Sequence, residues 1–179
     1  MELETARLRL RPFTPADGDG LFAILGDRET MAYSFPMIRG ESDRFLEQSL
    51  LRRDPPVGYA LEAEGVPGLA GYELFCPLED PGTYELGWFL RRDLWGRGYA
   101  GEISRTLLDY AFDVLGLRQV VGETIDLRRA GRLLGQLGMA KLGETQVTDC
   151  RGRPAALYQY AVTAEQWRER KRLLAFFDA

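Results

Sequence analysis

Three strand-like segments follow one another in the middle of the chain, and a glycine-rich segment and a helix come after the third. Turn residues but no helix separate them, and they cover 57–63, 69–75 and 83–90. Consecutive strands joined by short turns predict an antiparallel meander. Because a helix predicted at 99–115 is followed by a strand at 119–125, we expect a parallel pair with a helical crossover.

The remaining segments complete the predicted sheet. Arginine and apolar residues alternate over 6–11, which predicts a strand with one exposed face. Helices are predicted from about 15, from about 42, at 127–137 and from about 163, and a hairpin at 139–149 and 154–162. Thr163 and Gln166 predict a capping box for the C-terminal helix. We therefore expect one α+β domain over 1–179, whose central mixed, mostly antiparallel sheet of six or seven strands is flanked by helices.

Histidine is absent from the sequence, which excludes catalytic triads that use it and most zinc sites. Proton transfer must then use a carboxylate, a tyrosine, a cysteine, a lysine, the substrate or water. Cys76 and Cys150 are far apart and are predicted to be ordinary strand or core residues. No ligand set for a transition metal results, so no metal is expected.

Net charge and hydropathy limit the classes of partner that the chain is expected to bind. Lys and Arg number 23 against 27 Asp and Glu, and a net charge of -4 argues against a nucleic-acid partner. No run of about 18 apolar residues occurs, so no membrane partner is expected. Residues 1–4 lack the charged and apolar regions of a signal peptide, and we therefore expect a cytoplasmic protein.

Residues 95–101 read Trp-Gly-Arg-Gly-Tyr-Ala-Gly between a predicted strand and a predicted helix. Glycine lets the main chain turn tightly and approach phosphate oxygens, and a helix N-terminus favours an anion. A phosphate site is therefore predicted, with a flexible loop as the alternative. Gly96, Gly98 and Gly101, with Glu123 further on, also fit a dinucleotide fingerprint, although that fold places its glycines directly after the strand and repeats the strand–helix unit.

The segment 95–100 matches the motif Q/R-x-x-G-x-G/A except for Trp95 at its first position. It resembles the GNAT superfamily, in the branch that includes the ribosomal-protein N-terminal acetyltransferases. Three further segments contribute to this resemblance, namely 4–13, 84–88 and 137–139. The resemblance covers about residues 4–167. It implies a GNAT-like acyl-CoA N-acyltransferase fold, acetyl-CoA as co-substrate, and direct attack by a primary amine of a protein N-terminus, a polyamine or another small amine.

The resemblance also implies which residues hold acetyl-CoA. Main-chain groups at the end of the third meander strand take the thioester and pantetheine, and amides of the glycine-rich segment take the pyrophosphate. The expected contacts are Trp88, Phe89, Leu90, Trp95, Gly96, Arg97, Gly98, Tyr99, Ala100, Gly101, Leu127 and Arg132. Arg132 forms a basic cluster with Arg128 and Arg129, which would attract the 3'-phosphate or, alternatively, be only a solvated face.

Glu85 is the expected general base, because it matches the glutamate of the family's strand pattern and could accept the amine proton through water. A structural pairing with an arginine is the alternative, and Glu73 is the reserve base. The family usually has Asn and Ser where Leu127 and Ala130 stand here, on an apolar stripe expected to be buried, so the acid that protonates the thiolate is unassigned.

Three functions follow from these observations. The first is an acetyl-CoA-dependent N-acetyltransferase, a monomer or homodimer, whose acceptor pocket would be lined by Tyr33, Phe35 and Trp88 unless these aromatic residues are core. The second is a non-catalytic acyl-CoA-binding module, because two polar positions are lost. The third is a nicotinamide-dinucleotide-binding protein, which rests on the glycine fingerprint.

Overall fold

A computed structural model of the chain describes residues 1–32 and 34–177. Its strands are Leu3–Glu4 (β1), Leu8–Arg11 (β2), Gly58–Ala63 (β3), Gly71–Pro77 (β4), Thr83–Leu90 (β5), Gln119–Thr124 (β6), Ala140–Thr148 (β7) and Pro154–Thr163 (β8). Its α-helices are Gly18–Leu25 (α1), Arg39–Phe45 (α2), Tyr99–Asp109 (α3), Leu127–Gln136 (α4) and Ala164–Phe177 (α5). Short 3-10 turns precede α1 and follow β5, and π-helical turns extend α2 and α3, at Pro15–Asp17, Arg92–Leu94, Leu46–Leu51 and Tyr110–Val114.

The strands form one sheet in the order β1-β2-β3-β4-β5-β6-β8-β7. Neighbouring strands are antiparallel except β5 and β6, which are parallel and joined by α3. The predicted meander, the crossover and the mostly antiparallel α+β sheet are therefore confirmed. The described sheet has eight strands and not six or seven, because Leu3 and Glu4 pair with Leu10 and Arg9. A pair of residues is too short to show an alternating pattern.

Two predicted element boundaries are displaced for identifiable reasons. The first predicted strand begins at Leu8 and not at residue 6, because the Arg7 amide donates to Glu102 Oε1 at 3.2 Å. That contact ties the segment to α3 and not to a neighbouring strand. Helix α2 begins three residues before Ser42, because the Glu41 carboxylate accepts from the Ile38 amide at 3.0 Å and satisfies an N-terminal donor.

Two apolar clusters cover the two faces of the sheet. The larger cluster packs α3, α4 and α5 on one face, through residues such as Ile103, Leu134 and Trp167. The smaller cluster packs α1 and α2 on the other face, through residues such as Leu21 and Leu46. We refer to these as the α3 face and the α1 face.

A gap opens in the sheet between β5 and β6. The two strands pair at only three positions, of which the last is Glu85 with Val121. Beyond that point β5 continues beside β4, and β6 continues beside β8. A Cβ on Gly122 would lie 3.3 Å from the Leu86 carbonyl oxygen, which shows how closely the backbones approach where they begin to diverge. The strands therefore leave an opening that connects the two faces of the sheet.

The C-terminal helix closes the α3 face. Thr163 and Gln166 form the predicted capping box, with bonds of 2.9 and 3.3 Å, and Trp167 Nε1 donates to Asp109 of α3 at 2.9 Å. Within residues 1–32 and 34–177, no helix is both long and apolar enough to cross a membrane. That residues 1–179 form a single domain stays a prediction.

Candidate functional site

A cavity of about 530 Å³ fills the gap between β5 and β6. Its walls come from the ends of these two strands, the glycine-rich segment, the first turns of α4, strand β8 and the loop between α1 and α2. Its lining includes Thr30, Ser34, Gly87, Trp88, Phe89, Leu90, Trp95, Gly96, Ala100, Glu123, Asp126 and Arg129. The cavity reaches both faces of the sheet, because Trp88 packs on the α3 face and Phe89 on the α1 face.

The glycine-rich segment presents main-chain amides at one end of this cavity. Gly96 and Gly98 have φ angles of 77° and 80°, a left-handed conformation that favours glycine. Gly98 is the N-cap residue directly before α3, and the Glu102 amide donates to its carbonyl at 3.1 Å. The amides before Glu102 have no acceptor one helical turn back, so they and the helix dipole favour an anion at this point.

The first turn of α3 is anchored to the N-terminal segment. The Glu102 carboxylate accepts from Thr5 Oγ1 at 2.6 Å and from Arg7 at 2.6 and 2.8 Å. Partial burial favours a raised pKa for Glu102, but the hydrogen bonds from Thr5 and Arg7 outweigh it and leave this pKa below its usual value. The Arg7 guanidinium compensates the negative charge beside the glycine-rich segment.

Strand β5 exposes main-chain groups along the edge that faces the gap. The Thr83 carbonyl faces the β4 side, where it accepts from the Leu78 amide at 3.0 Å. Because main-chain groups alternate along a strand, those of Trp88 and Leu90 face the gap. Trp95 uses one of them, since its Nε1 donates to the Leu90 carbonyl at 2.9 Å.

Helix α4 brings the charged side chain of Arg129 to the cavity. Asp126 caps the helix by accepting from the amides of Arg128 and Arg129 at 3.0 and 3.3 Å. The Arg129 guanidinium lies 4.6 Å from the centre of the Trp95 ring, and its Nη1 donates to the Glu29 carbonyl at 3.2 Å. Arg129 therefore touches both the glycine-rich segment and the loop between α1 and α2.

Glu85 lies on the α1 face, two residues before Gly87, which lines the cavity. Its carboxylate has no hydrogen bond or ion pair with any residue that the structure describes, so the predicted alternative of an arginine partner is wrong. Burial, and secondly the charge of Glu123, raise the pKa of Glu85. Glu123 is held by Gln159 Nε2 at 2.7 Å.

Glu73 occupies the α3 face of the neighbouring strand and is fully buried. Neither of its carboxyl oxygens has a hydrogen-bond partner among the described residues. Burial raises the pKa of Glu73 well above its usual value, so the group is neutral over a wide pH range. A sealed, protonated carboxyl cannot accept a proton from an amine in the cavity, and Glu73 is therefore unsuited to the reserve role.

The predicted contact residues fall into two groups. Those that line the cavity are Trp88, Phe89, Leu90, Trp95, Gly96 and Ala100, whereas Glu85, Arg97, Gly98, Tyr99, Gly101, Leu127 and Arg132 do not line it. The Tyr99 side chain is buried beneath Arg7, whose guanidinium lies 4.8 Å from the ring centre, so only its main chain faces the glycine-rich segment. All of these contacts stay predictions.

The apolar stripe predicted on α4 is wrong at one residue. Ala130 and Leu134 are buried, but Leu127 is 39% exposed, because it lies in the first turn beyond the packed part of the helix. Phe35 is 69% exposed and does not line the cavity, and Tyr33 lies outside the described residues.

Sequence reasoning missed several lining residues. Asp126 directly precedes a helix, a position where Asp is a common cap, so this signal could have been used. Thr30 and Ser34 carry no comparable signal, since they lie in a loop without periodicity. No group of three or more potential metal ligands occurs in residues 1–32 and 34–177.

Comparisons with known proteins find similarity over most of the chain. The sequence profile of the family described as "Acetyltransferase (GNAT) domain" matches residues 7–140, more than half of the chain. An FsC-acetyl coenzyme A-N(2)-transacetylase of Aspergillus fumigatus is 35% identical over 127 residues, which are 62% of this chain and 50% of that relative. The chain thus spans half the length of this relative. An uncharacterized N-acetyltransferase of Bacillus subtilis, YnaD, is 24% identical over 93% of this chain and 99% of its own.

Solved structures show the same fold. A GNAT-family acetyltransferase from Bacillus anthracis superposes with a TM-score of 0.81 at 21% identity, over 92% of this chain and 99% of its own. A ribosomal-protein-S5-alanine acetyltransferase from Vibrio fischeri superposes with a TM-score of 0.77 at 14% identity, over 93% and 98% of the two chains. At these identities the likeness concerns the fold alone.

Proposed function

Because the chain belongs to the GNAT acetyltransferase family, we propose that it transfers the acetyl group of acetyl-CoA to a primary amine across the gap between β5 and β6. One observation supports this most strongly. The cavity joins a glycine-rich helix start on the α3 face of the sheet to the α1 face, where its lining residue Gly87 lies two residues after Glu85 on the same strand. An acyl donor and an amine can therefore approach each other from opposite faces.

Acetyl-CoA occupies the α3 face in this proposal. The amides of residues 96–101 bind the pyrophosphate, and the left-handed Gly96 and Gly98 allow the close approach. The pantetheine runs along the open edge of β5, where the Trp88 amide is available to polarise the thioester carbonyl. Most of these contacts are made by the main chain, so they tolerate Trp95 at the first position of the motif.

The amine reaches the thioester from the α1 face. Its lone pair attacks the carbonyl carbon, a C–N bond forms, and the C–S bond breaks as coenzyme A leaves as a thiolate. Glu85 accepts the excess amine proton through a water molecule. The raised pKa of Glu85 suits this role, because a base with a pKa nearer neutrality retains the proton more readily.

The acid that protonates the thiolate stays unassigned in this scheme. Leu127 is exposed and Ala130 is buried, and neither carries a proton to give. A thiolate is stable enough near neutral pH to leave without a dedicated acid, because thiols ionise with a pKa of about 8.5. Protonation by water then completes the balance.

The acceptor is proposed at the level of a primary amine, on a protein N-terminus, a polyamine or another small molecule. The name of the Aspergillus fumigatus relative, an acetyl coenzyme A-N(2)-transacetylase, describes transfer to a nitrogen atom, which supports an amine acceptor. A cytoplasmic location, a monomeric or homodimeric state and the absence of nucleic-acid and membrane partners stay predictions.

A thiol-release assay tests the proposal. Acetyl-CoA is incubated with the chain and with a panel of amines that includes N-terminal peptides and spermidine, and free coenzyme A is measured. We expect release that depends on at least one amine. If acetyl-CoA binds in calorimetry but no amine causes release, the binding-module alternative is correct. Tight binding of NAD in place of acetyl-CoA would support the third function, although the described strands form one parallel pair and do not match a doubly wound sheet.

A further inference from the structure

Arg129 connects the two sides of the cavity. Its guanidinium carbon lies 4.6 Å from the centre of the Trp95 ring, on the side of the glycine-rich segment. Its Nη1 donates to the Glu29 carbonyl at 3.2 Å, and its Nη2 lies 3.7 Å from the Glu29 carboxylate. Glu29 belongs to the connection between α1 and α2, of which residues 26–32 and 34–38 are described. We refer to these described residues as the loop 26–38, and Thr30 of this loop lines the cavity. One side chain thus spans from the proposed acetyl-CoA side to the loop over the acceptor side.

The partners of Arg129 hold it in place. Trp95 is fixed to the end of β5 by its bond to the Leu90 carbonyl. Asp126, buried at the start of α4, lies 3.3 Å from Arg129 Nε. A planar guanidinium can stack flat on a ring while donors on its three nitrogens bond within the plane, whereas an ammonium group offers all its donors from one atom. The site therefore favours an arginine over a lysine.

The loop 26–38 has a second attachment, which does not involve Arg129. Cys150, at the tip of the β7–β8 hairpin, donates from Sγ to the Ala32 carbonyl at 2.9 Å. Inside the loop, Thr30 donates to Asp27 through its amide and its hydroxyl at 2.9 and 2.8 Å. Loss of the Arg129 attachment would therefore remove a contact at Glu29, while Cys150 and the buried Met31 still hold the following part of the loop.

We infer that Arg129 is a positioning residue for the acceptor, which holds the loop 26–38 closed over the α1 side of the cavity by binding Glu29 while stacked on Trp95. The inference rests on the proposed function, because that function assigns the acceptor to this side. Closure by the loop limits the size of the amine that enters and excludes water from the thioester. Arg129 acts through the loop and need not touch acetyl-CoA.

Hydrogen exchange in the ligand-free chain tests the loop contact directly. In Arg129→Met, the amides of the loop 26–38 should exchange about three- to tenfold faster, because the stacking and a charged hydrogen bond are lost. Arg129→Lys should show nearly the same increase. Arg128→Met is the matched control, since the exposed Arg128 side chain has no hydrogen bond or ion pair with any described residue. In Arg128→Met, the amides of the loop 26–38 should exchange at the same rate as in the unmodified chain.

The amides of α3 report whether the fold survives, and their exchange should be the same in all of these variants. Trp95→Ala provides a second route to the same result, because it removes the ring without touching the loop. It should also speed loop exchange, and combining it with Arg129→Met should add little, since the two residues act as a unit. Unchanged loop exchange in both Arg129→Met and Trp95→Ala means that the inference is wrong.

Calorimetry with coenzyme A separates a loop contact from a cofactor contact. Arg129→Met should bind coenzyme A within about threefold of the unmodified chain, and KM for an amine found in the panel should rise about three- to tenfold with little change for acetyl-CoA. A large loss of coenzyme A affinity would make Arg129 a cofactor ligand and overturn the inference. If the unmodified chain itself fails to bind coenzyme A, the proposed function is wrong, while the loop-exchange result is judged separately.

Discussion

The two sides of the gap between β5 and β6 are built from different parts of the chain. On the α3 face, the glycine-rich segment and the edge of β5 offer main-chain groups. On the α1 face, the cavity is defined by side chains and by the loop 26–38. Main-chain groups are present whatever the side chains are, provided that the backbone can adopt the conformation. A co-substrate site of the first kind can therefore stay constant while an acceptor site of the second kind changes.

The same contrast appears between two glutamates on neighbouring strands. Glu73 points to the α3 face and is buried in the core with no hydrogen-bond partner in the described part of the chain, whereas Glu85 points to the α1 face on the same side as Glu123. Burial raises both pKa values, but Glu73 is fully buried whereas Glu85 is partly exposed. The face of the sheet, and not the residue type, decides which carboxyl can take part in chemistry.

The largest expected effect comes from Gly98→Asp, which disrupts the main-chain anion site of the glycine-rich segment. The substitution places a side chain at a φ of 80° and adds a carboxylate where the pyrophosphate should bind. We expect acetyl-CoA affinity to fall by at least about 100-fold, measured by calorimetry. Gly116→Asp is the control, because Gly116 also has a positive φ, of 64°, but lies beyond the opposite end of α3. Unchanged affinity in Gly98→Asp would place the co-substrate elsewhere.

Glu85→Gln removes the proposed general base on the α1 face. It should reduce kcat by roughly 100-fold and leave acetyl-CoA affinity unchanged. The unmodified enzyme should gain activity as the pH rises through the raised pKa of Glu85, because a base works only when deprotonated. Glu85→Gln should lose this dependence. Full turnover by this variant at saturating substrate would show that Glu85 is not the base.

Glu123→Gln sharpens the assignment of that base. Removing the neighbouring negative charge should lower the pKa of Glu85, because that charge is one of the two causes of its elevation. The acidic limb of the pH–rate profile should therefore move to lower pH. A limb that stays in place would mean that another group controls it.

A smaller effect, on stability, is expected from Glu73→Gln, which carries no charge at any pH. The pKa of Glu73 is higher in the folded state than in the unfolded chain. Its contribution to folding stability is therefore greatest in acid, and it is lost as the pH rises from about 4.3 towards the pKa of the folded state. Over this window, the free energy of unfolding of the unmodified chain should fall by up to about 1.4 kcal/mol per pH unit relative to that of the variant. Urea unfolding at pH 5 and pH 8 measures this, and a difference independent of pH would contradict it.

The smallest effect is expected from Leu127→Asn combined with Ala130→Ser, which restores the residues usual in the family. Binding through main-chain groups should change by less than about threefold, since it does not depend on these positions. Leu127→Asn alone should cost little stability because the residue is exposed, whereas Ala130→Ser buries a hydroxyl and should cost about 1 kcal/mol. If the double variant turns over readily while the unmodified chain does not, the binding module is the better description.

The sequence predicted most of the fold because its signals are local. The meander, the crossover and the capping box at Thr163 are each encoded within a few neighbouring residues. Strand β1 was not predicted, because two residues are too few to show a periodic pattern. Leu127 was predicted to be buried but is exposed, because a helical stripe does not show how far along the helix the packing extends. The glycine-rich segment was recognisable for the same local reason.

The sequence alone determined the elements, the position of the glycine-rich helix start and the resemblance to a family, because hydrophobic period, turn residues and glycine conformations act over short distances. Only the tertiary structure decided where β5 and β6 diverge, that Glu85 lies beside Glu123 while Glu73 is sealed, and that Arg129 reaches Glu29 across 100 residues of sequence. These relations depend on strands and loops that are far apart in the chain and meet only when it folds, and no local pattern records which of them will be neighbours.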